Sequence, residues 1–148
     1  MNTFAENKKA GFNHQILEKY EAGLVLLGQE VKSIRLGRAN LAGSHIIIDK
    51  GSFQLIGCHI PPYQPNNTPA DYLPEKNRQL LLKKKEMLYL AGRLSQRGLT
   101  LLPLRIYTDD GKRMLKIEFA LAKLLKKFDK REQIKAKEAR REAKTFVR

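Results

Sequence analysis

The sequence predicts a mainly β protein, a small closed antiparallel barrel with two or three short helices and a basic C-terminal tail. The strongest signal is the turn Asp109-Asp110-Gly111 between two strand-like segments, since Asp-Gly is typical of a tight hairpin. In the second of these segments, 114–122, apolar and polar residues alternate as in a half-buried strand. At least five short strands with only two helical segments favour a closed antiparallel barrel over a parallel α/β sheet.

The N-terminal third predicts an arm, a strand and a helix. Residues 1–13 are polar and aperiodic, so we expect a flexible arm. A strand is expected within Ile16–Leu27, where an apolar run ends before a glycine. A short helix follows over Gln29–Leu36, and Gly37 is well placed to end it.

The central part predicts a hairpin, a long loop and a second helix. His45–Ile48 and Phe53–Ile56 flank a turn-rich tetrapeptide, which indicates the hairpin. Residues 61–79 hold five of the six prolines and predict a polar loop. The helix is predicted from Met87, Ala91 and Leu94, which recur at helical spacing. Leu80 is expected to lie earlier on the same apolar face, and Gly98 is expected to end the helix.

The charge indicates a polyanionic partner. The 148 residues contain 29 Lys and Arg against 15 Asp and Glu, a net charge of +14. Residues 123–148 carry 11 basic and 4 acidic residues, which is half of this excess. Basic side chains near phosphates release condensed counterions, so nucleic acid is the expected class of partner. The resulting division is an arm (1–13), a nucleic-acid-binding barrel (14–123) and a basic tail (124–148), which we expect to be disordered when free.

Other classes of function find little support in the residues. The three histidines are scattered and no metal-ligand spacing occurs, so we expect no metal, no cofactor and no catalysis. Asp109 and Asp110 are adjacent carboxylates, but turn chemistry explains them. No apolar run approaches a membrane span, and one cysteine, Cys58, cannot form an internal disulfide. A cytoplasmic protein that does not contact membranes is expected.

Ordered sequence blocks across nearly the whole chain resemble the small protein B family, the SsrA-binding proteins of bacteria. These blocks are Asn7–Ala10, Tyr20–Leu26, Gly28–Arg35, Gly37–Leu41, His59–Tyr63, Leu80–Glu86, Gly98–Leu104 and Asp129–Glu132. The resemblance implies an oligonucleotide-binding-like (OB-like) barrel that binds the tRNA-like domain of transfer-messenger RNA. It also implies delivery of that RNA to stalled ribosomes for trans-translation, with no covalent step made by the protein, which we expect to be a monomer.

The resemblance assigns RNA contacts to specific positions. On the barrel they fall on Asn7, Glu21, Leu81 and Lys116, with Lys83 where the family commonly has His or Asn. We expect the neighbouring lysines Lys8, Lys9 and Lys84 to belong to the same RNA-binding set. A carboxylate such as Glu21 faces RNA by accepting hydrogen bonds from base amino or imino groups, which reads base edges. The alternative for Glu21 is an ion pair with a nearby Lys or Arg.

The tail resembles the part of the family that enters the vacant mRNA channel, near small-subunit ribosomal RNA. The residues that carry this expectation are Phe128, Asp129, Lys130, Arg131, Phe146 and Val147. Before them the chain departs from the family, because Leu124-Leu125-Lys126 stands where Gly-Lys-Lys is usual. The two leucines are expected either to extend the last strand or to cover the rim of the barrel.

Two other classes of function remain as alternatives. A general RNA-binding barrel or a ribosome-associated structural protein shares the charge but not the ordered blocks. An RNA-processing enzyme would need a convergent catalytic group, which the sequence does not indicate.

Overall fold

Seven antiparallel strands form the framework of the part of the chain that the structure describes. The structure is a computed structural model, and it describes residues 2–109 and 113–125. The strands are β1 Asn2–Glu6, β2 His14–Leu24, β3 His45–Asp49, β4 Ser52–Ile56, β5 Arg78–Leu81, β6 Leu99–Thr108 and β7 Lys116–Leu124. The helices are α1 Gly28–Arg35 and α2 Lys84–Leu94, and a 3₁₀ turn spans Pro65–Asn67.

The strand pairings close into a ring. The order is β6-β3-β4-β5-β2-β7, and β7 pairs again with β6, while β1 pairs with β6 beside β3. Each of the six strands in this ring has a neighbour on both sides, so closure leaves fewer open sheet edges that could attract other chains. Inside the ring lie fully buried side chains such as Phe53, Leu101, Ile117 and Phe119. The predicted mainly β, closed antiparallel architecture is confirmed.

The N-terminal segment differs from the predicted flexible arm. Residues 2–6 form β1, whose Thr3 and Glu6 pair with Tyr107 and Arg105 of β6. Ala5 is buried against the core. A five-residue segment with the sequence Asn-Thr-Phe-Ala-Glu is too short to show a clear period of its own, so this strand depends on pairing with β6, which exists only in the folded protein.

Leu80 corrects the predicted stripe of the second helix. It lies in β5, where buried and exposed residues alternate, and it is only 2% exposed. The helix itself is confirmed, but it begins at Lys84. The prediction failed because an apolar residue seven positions before Met87 also matches helical spacing, which cannot separate the end of a short strand from the start of a helix.

A buried ion pair joins α1 to the start of β5. The Glu30 carboxylate accepts hydrogen bonds from the Leu27 N–H (2.9 Å) and from Arg78 Nε (2.8 Å), and Arg78 Nη2 lies 2.7 Å from Glu30 Oε2. Arg78 also donates to the carbonyls of Cys58 (2.6 Å) and Pro74 (2.8 Å). Because these partners satisfy both charges, the pair can lie in the interior.

The last strand extends one residue beyond the predicted barrel. Leu124 pairs with His14 of β2, and its N–H donates to the Gly98 carbonyl at 3.1 Å. The Leu125 N–H donates to the Asn13 carbonyl at 2.9 Å. Of the two expectations for these leucines, strand extension is therefore correct for Leu124.

Candidate RNA-binding surface

A surface groove of about 700 Å³ lies where β2, the β5–α2 junction and β7 meet. Its walls are Lys19, Tyr20, Glu21, Ala22, Gly23, Leu81, Leu82, Lys83, Glu86, Lys116 and Glu118. They come from three separate parts of the chain, so the groove exists only in the folded ring.

Strand register brings these walls together. Gly23 pairs with Leu81 of β5 on one side and with Lys116 of β7 on the other, and Glu21 pairs with Glu118. A larger residue at position 23 would place its Cβ 3.5 Å from the Leu81 Cβ. The glycine therefore leaves the space between Leu81 and Lys116 free of a side chain from β2.

Four of the eight barrel residues expected to bind RNA meet in this groove. These are Glu21, Leu81, Lys83 and Lys116. Leu81 is 55% exposed and leaves an apolar surface in the groove for a ligand. Lys83 directly precedes α2, and Lys84, the first residue of that helix, is exposed beside it.

Asn7, Lys8 and Lys9 lie elsewhere on the surface. They follow β1 in a turn, with both lysines exposed. Asn7 is held by β6, because its Nδ2 donates to the Pro103 carbonyl (3.0 Å) and its backbone N–H to the Leu104 carbonyl (2.8 Å). Strand β6 lies between this turn and β7, which is the nearest strand of the groove.

The groove has balanced charge, unlike the chain as a whole. Three lysines (Lys19, Lys83 and Lys116) face three glutamates (Glu21, Glu86 and Glu118). A site that bound only phosphates would gain nothing from three carboxylates. Acceptors and donors side by side suit the reading of base edges, with the lysines available for phosphates.

Glu21 forms no ion pair within the described ranges, so the alternative role as an ion-pair partner finds no support there. Its cross-strand neighbour Glu118 takes the nearby cation instead, with Arg105 Nη2 at 3.1 Å from Glu118 Oε2. Lys116 Nζ lies 3.2 Å from Asp109 Oδ2. The exposed Glu21 carboxylate thus keeps its acceptor capacity in the groove.

A second polar cluster fixes α2 next to the groove. The Glu18 carboxylate of β2 accepts hydrogen bonds from the hydroxyl groups of Tyr20 and Tyr89 (2.8 Å for Tyr89) and from Arg93 Nη1 at 2.9 Å. The hydrogen bond from Tyr20, followed by that from Tyr89, lowers the pKa of Glu18. Tyr89 and Arg93 lie on α2, so the cluster anchors the helix that begins at the groove.

Sequence reasoning missed several of these groups. Lys19, Glu86 and Glu118 line the groove but were not among the expected contacts. The alternation of polar and apolar residues in β7 placed Lys116 and Glu118 on one face, and that signal was available. The position of Glu86 beside them depends on how α2 packs, which no local pattern reports.

Neither a metal site nor a reactive thiol finds support in the described part of the chain. There, no three His, Cys, Asp or Glu residues form a group that could hold a metal ion. Burial raises the pKa of the Cys58 thiol to about 11, so it is not a ready nucleophile. No helix among the described residues is long and apolar enough to cross a membrane.

Asp110 and the tail positions Phe128, Asp129, Lys130, Arg131, Phe146 and Val147 lie outside the described residues.

Comparisons with known proteins identify the family of this chain. The model of a family described as SmpB protein matches residues 4–148. An SsrA-binding protein of Sulfurihydrogenibium sp. is 49% identical over 138 residues, covering 93% of this chain and 89% of the relative. One of Syntrophobacter fumaroxidans is 51% identical over 140 residues, covering 93% and 83% respectively.

Solved structures include a similar chain described with the words "tmRNA-SmpB: a journey to the center of the bacterial ribosome". It superposes with a TM-score of 0.66 at 39% identity, over 82% of this chain and 84% of that chain. Because the family match covers almost the whole chain and the relatives exceed 40% identity over most of both lengths, this chain belongs to the SmpB protein family.

Proposed function

We propose that this chain binds the tRNA-like domain of transfer-messenger RNA through the groove and delivers it to stalled ribosomes for trans-translation. Its similarity to proteins named SsrA-binding supports this function, as does the tmRNA-SmpB structure that it resembles. The observation that carries the proposal is the meeting of Glu21, Leu81, Lys83 and Lys116 in one groove.

The groove recognises bases and phosphates with different side chains. Glu21 accepts hydrogen bonds from base amino or imino groups, and the exposed Leu81 supplies an apolar contact to a base or ribose. Lys83 and Lys116 neutralise phosphates, with Lys84 adding a further cation at the start of α2. Asn7, Lys8 and Lys9 contact the same RNA beyond β6, which lengthens the footprint across the sheet.

The protein acts as a binding adaptor, a cytoplasmic monomer that makes no covalent bond itself. Peptidyl transfer then belongs to the ribosome that receives the RNA. Purification of the full chain from bacterial cytoplasm tests this proposal. One abundant tRNA-like RNA supports it, while bulk ribosomal RNA without that species supports a general RNA-binding barrel. RNA turnover by the pure protein that a single carboxylate substitution abolishes would favour an enzyme.

The tail serves the second half of the function by entering the vacant mRNA channel. There Phe128 stacks on a ribosomal base, Asp129-Lys130-Arg131 contacts small-subunit ribosomal RNA, and Phe146-Val147 supplies an apolar end. Truncation after Lys127 and Phe128→Ala should both spare RNA binding and impair peptide tagging. The matched control is a tail of identical composition in scrambled order, since full tagging by the scramble would leave only a nonspecific charge role.

A further inference from the structure

The hydroxyl group of Tyr107 is buried without a hydrogen-bond partner among the described residues. Tyr107 is 0% exposed, and the guanidinium of Arg105 lies over its ring with Cζ 4.3 Å from the ring centroid. A buried phenol hydroxyl without a partner costs free energy, so its retention requires an explanation.

Strand register places Tyr107 on the face of the sheet that carries the groove. Directly paired residues of antiparallel strands point to the same side. Tyr107 pairs with Lys116, which pairs with Gly23, while Arg105 pairs with Glu118, which pairs with Glu21. Tyr107, Lys116 and Gly23 therefore form one row across β6, β7 and β2. Because Gly23 has no side chain, no side chain fills the β2 end of this row.

Three carboxylates share this face, and two of them each hold a cation within the described ranges. Glu118 holds Arg105 at 3.1 Å, and Asp109 holds Lys116 at 3.2 Å. Glu21 forms no such pair there. Burial, and next the Glu21 carboxylate, raise the pKa of Tyr107 above the usual value of a phenol, so the hydroxyl remains a donor.

We propose that Tyr107 is a positioning residue for Glu21, whose carboxylate accepts a hydrogen bond from the Tyr107 hydroxyl when RNA occupies the groove. One carboxylate oxygen is then held by the protein, and the other faces the base amino or imino groups. This inference rests on the proposed function, because it assumes that Glu21 reads RNA. The proposal therefore assigns to the Tyr107 hydroxyl a role in RNA affinity but no role in the stability of the free protein.

Two tyrosine-to-phenylalanine substitutions test the proposal in opposite directions. Tyr107→Phe keeps the ring under Arg105 and removes only the unpartnered hydroxyl, so the melting temperature should stay the same or rise. Affinity for a transcript of the tRNA-like domain should fall about three- to tenfold. The matched control is Tyr72→Phe, which removes a hydrogen bond to the Ile60 carbonyl at 2.8 Å. It should lower the melting temperature by about 2–6 °C and leave RNA affinity unchanged.

A double-mutant cycle then ties the effect to Glu21. In a Glu21→Ala background, Tyr107→Phe should produce no further loss of RNA affinity. An unchanged affinity for Tyr107→Phe, or a loss that persists in the Glu21→Ala background, would overturn the positioning role while leaving the proposed function intact. If Glu21→Ala itself binds RNA as tightly as the unsubstituted chain, both the positioning role and the proposed base reading by Glu21 fail.

Discussion

Glu30 and Glu21 represent two regions of the ring that treat the same side chain in opposite ways. Glu30 is fully buried at the start of α1, where Arg78 and a backbone N–H satisfy its charge. Glu21 is exposed in the groove and has no ion pair within the described residues. The Glu30 carboxylate is paired within the fold, whereas the Glu21 carboxylate remains available to a ligand. The difference shows that the role of a glutamate depends on the number of ion-pair and hydrogen-bond partners that the fold supplies, more than on the residue type.

The largest effect should come from breaking the buried pair. Arg78→Ala leaves the Glu30 carboxylate buried without its main partner, so the free energy of unfolding should fall by about 3–5 kcal/mol. Denaturant unfolding measures the change. The control is Lys76→Ala, because Lys76 Nζ lies 3.6 Å from Glu30 with a more exposed side chain and should cost about 1 kcal/mol or less. A similar loss for both variants would contradict the dominant role of Arg78.

The reverse pattern is expected for the groove. Glu21→Ala should weaken binding to the tRNA-like domain by roughly 1.5–3 kcal/mol, because a charged acceptor of base hydrogen bonds is lost. The free energy of unfolding should change by less than about 0.5 kcal/mol, as for an exposed residue that forms no ion pair within the described residues. Filter binding and circular dichroism on the same samples measure the two quantities. Glu75→Ala, at an exposed glutamate beside His59, is the matched control and should change neither. Unfolding of the Glu21 variant would reveal a structural role.

Salt dependence separates the carboxylate from the lysines within the groove. If about four to six phosphates are neutralised, the logarithm of the RNA-binding constant should fall with the logarithm of salt concentration with a slope of roughly −3 to −5. Lys116→Ala should make this slope shallower by about one unit. Glu21→Ala should lower the affinity but leave the slope unchanged, because Glu21 contacts no phosphate. Equal slopes for all three proteins would remove Lys116 from the phosphate contacts.

The smallest effect should come from the anchor of α2. Glu18→Gln weakens the hydrogen bonds from Tyr20, Tyr89 and Arg93, and we expect a loss of about 0.5–1 kcal/mol in unfolding free energy at neutral pH. The pKa of Glu18 is lowered in the folded protein, so its contribution is present above the unfolded value of 4.5 and is lost as the pH falls through the folded value. The stability difference between the two proteins should therefore narrow below about pH 4.5. A difference that grows under acid would contradict this assignment.

Local patterns were sufficient for much of the architecture. The hairpin β3–β4 and the pair β6–β7 follow from turn residues and period-two alternation, and both helices follow from helical spacing. These signals are short-range, so they can be read without a fold. The strand β1 and the strand position of Leu80 could not be read, because each depends on a partner distant in the sequence.

For the candidate site, the sequence by itself determined the residue types and their order. The charge indicated a polyanionic partner, and the resemblance implied RNA and named Glu21, Leu81, Lys83 and Lys116. Only the tertiary structure decided that these four share one groove with Glu86 and Glu118, that Asn7 lies beyond β6 and outside the groove, and that the Tyr107 hydroxyl is buried without a partner among the described residues. The physical reason is that register and ring closure set which side chains face one another, and pairings over long sequence distances have no local signature.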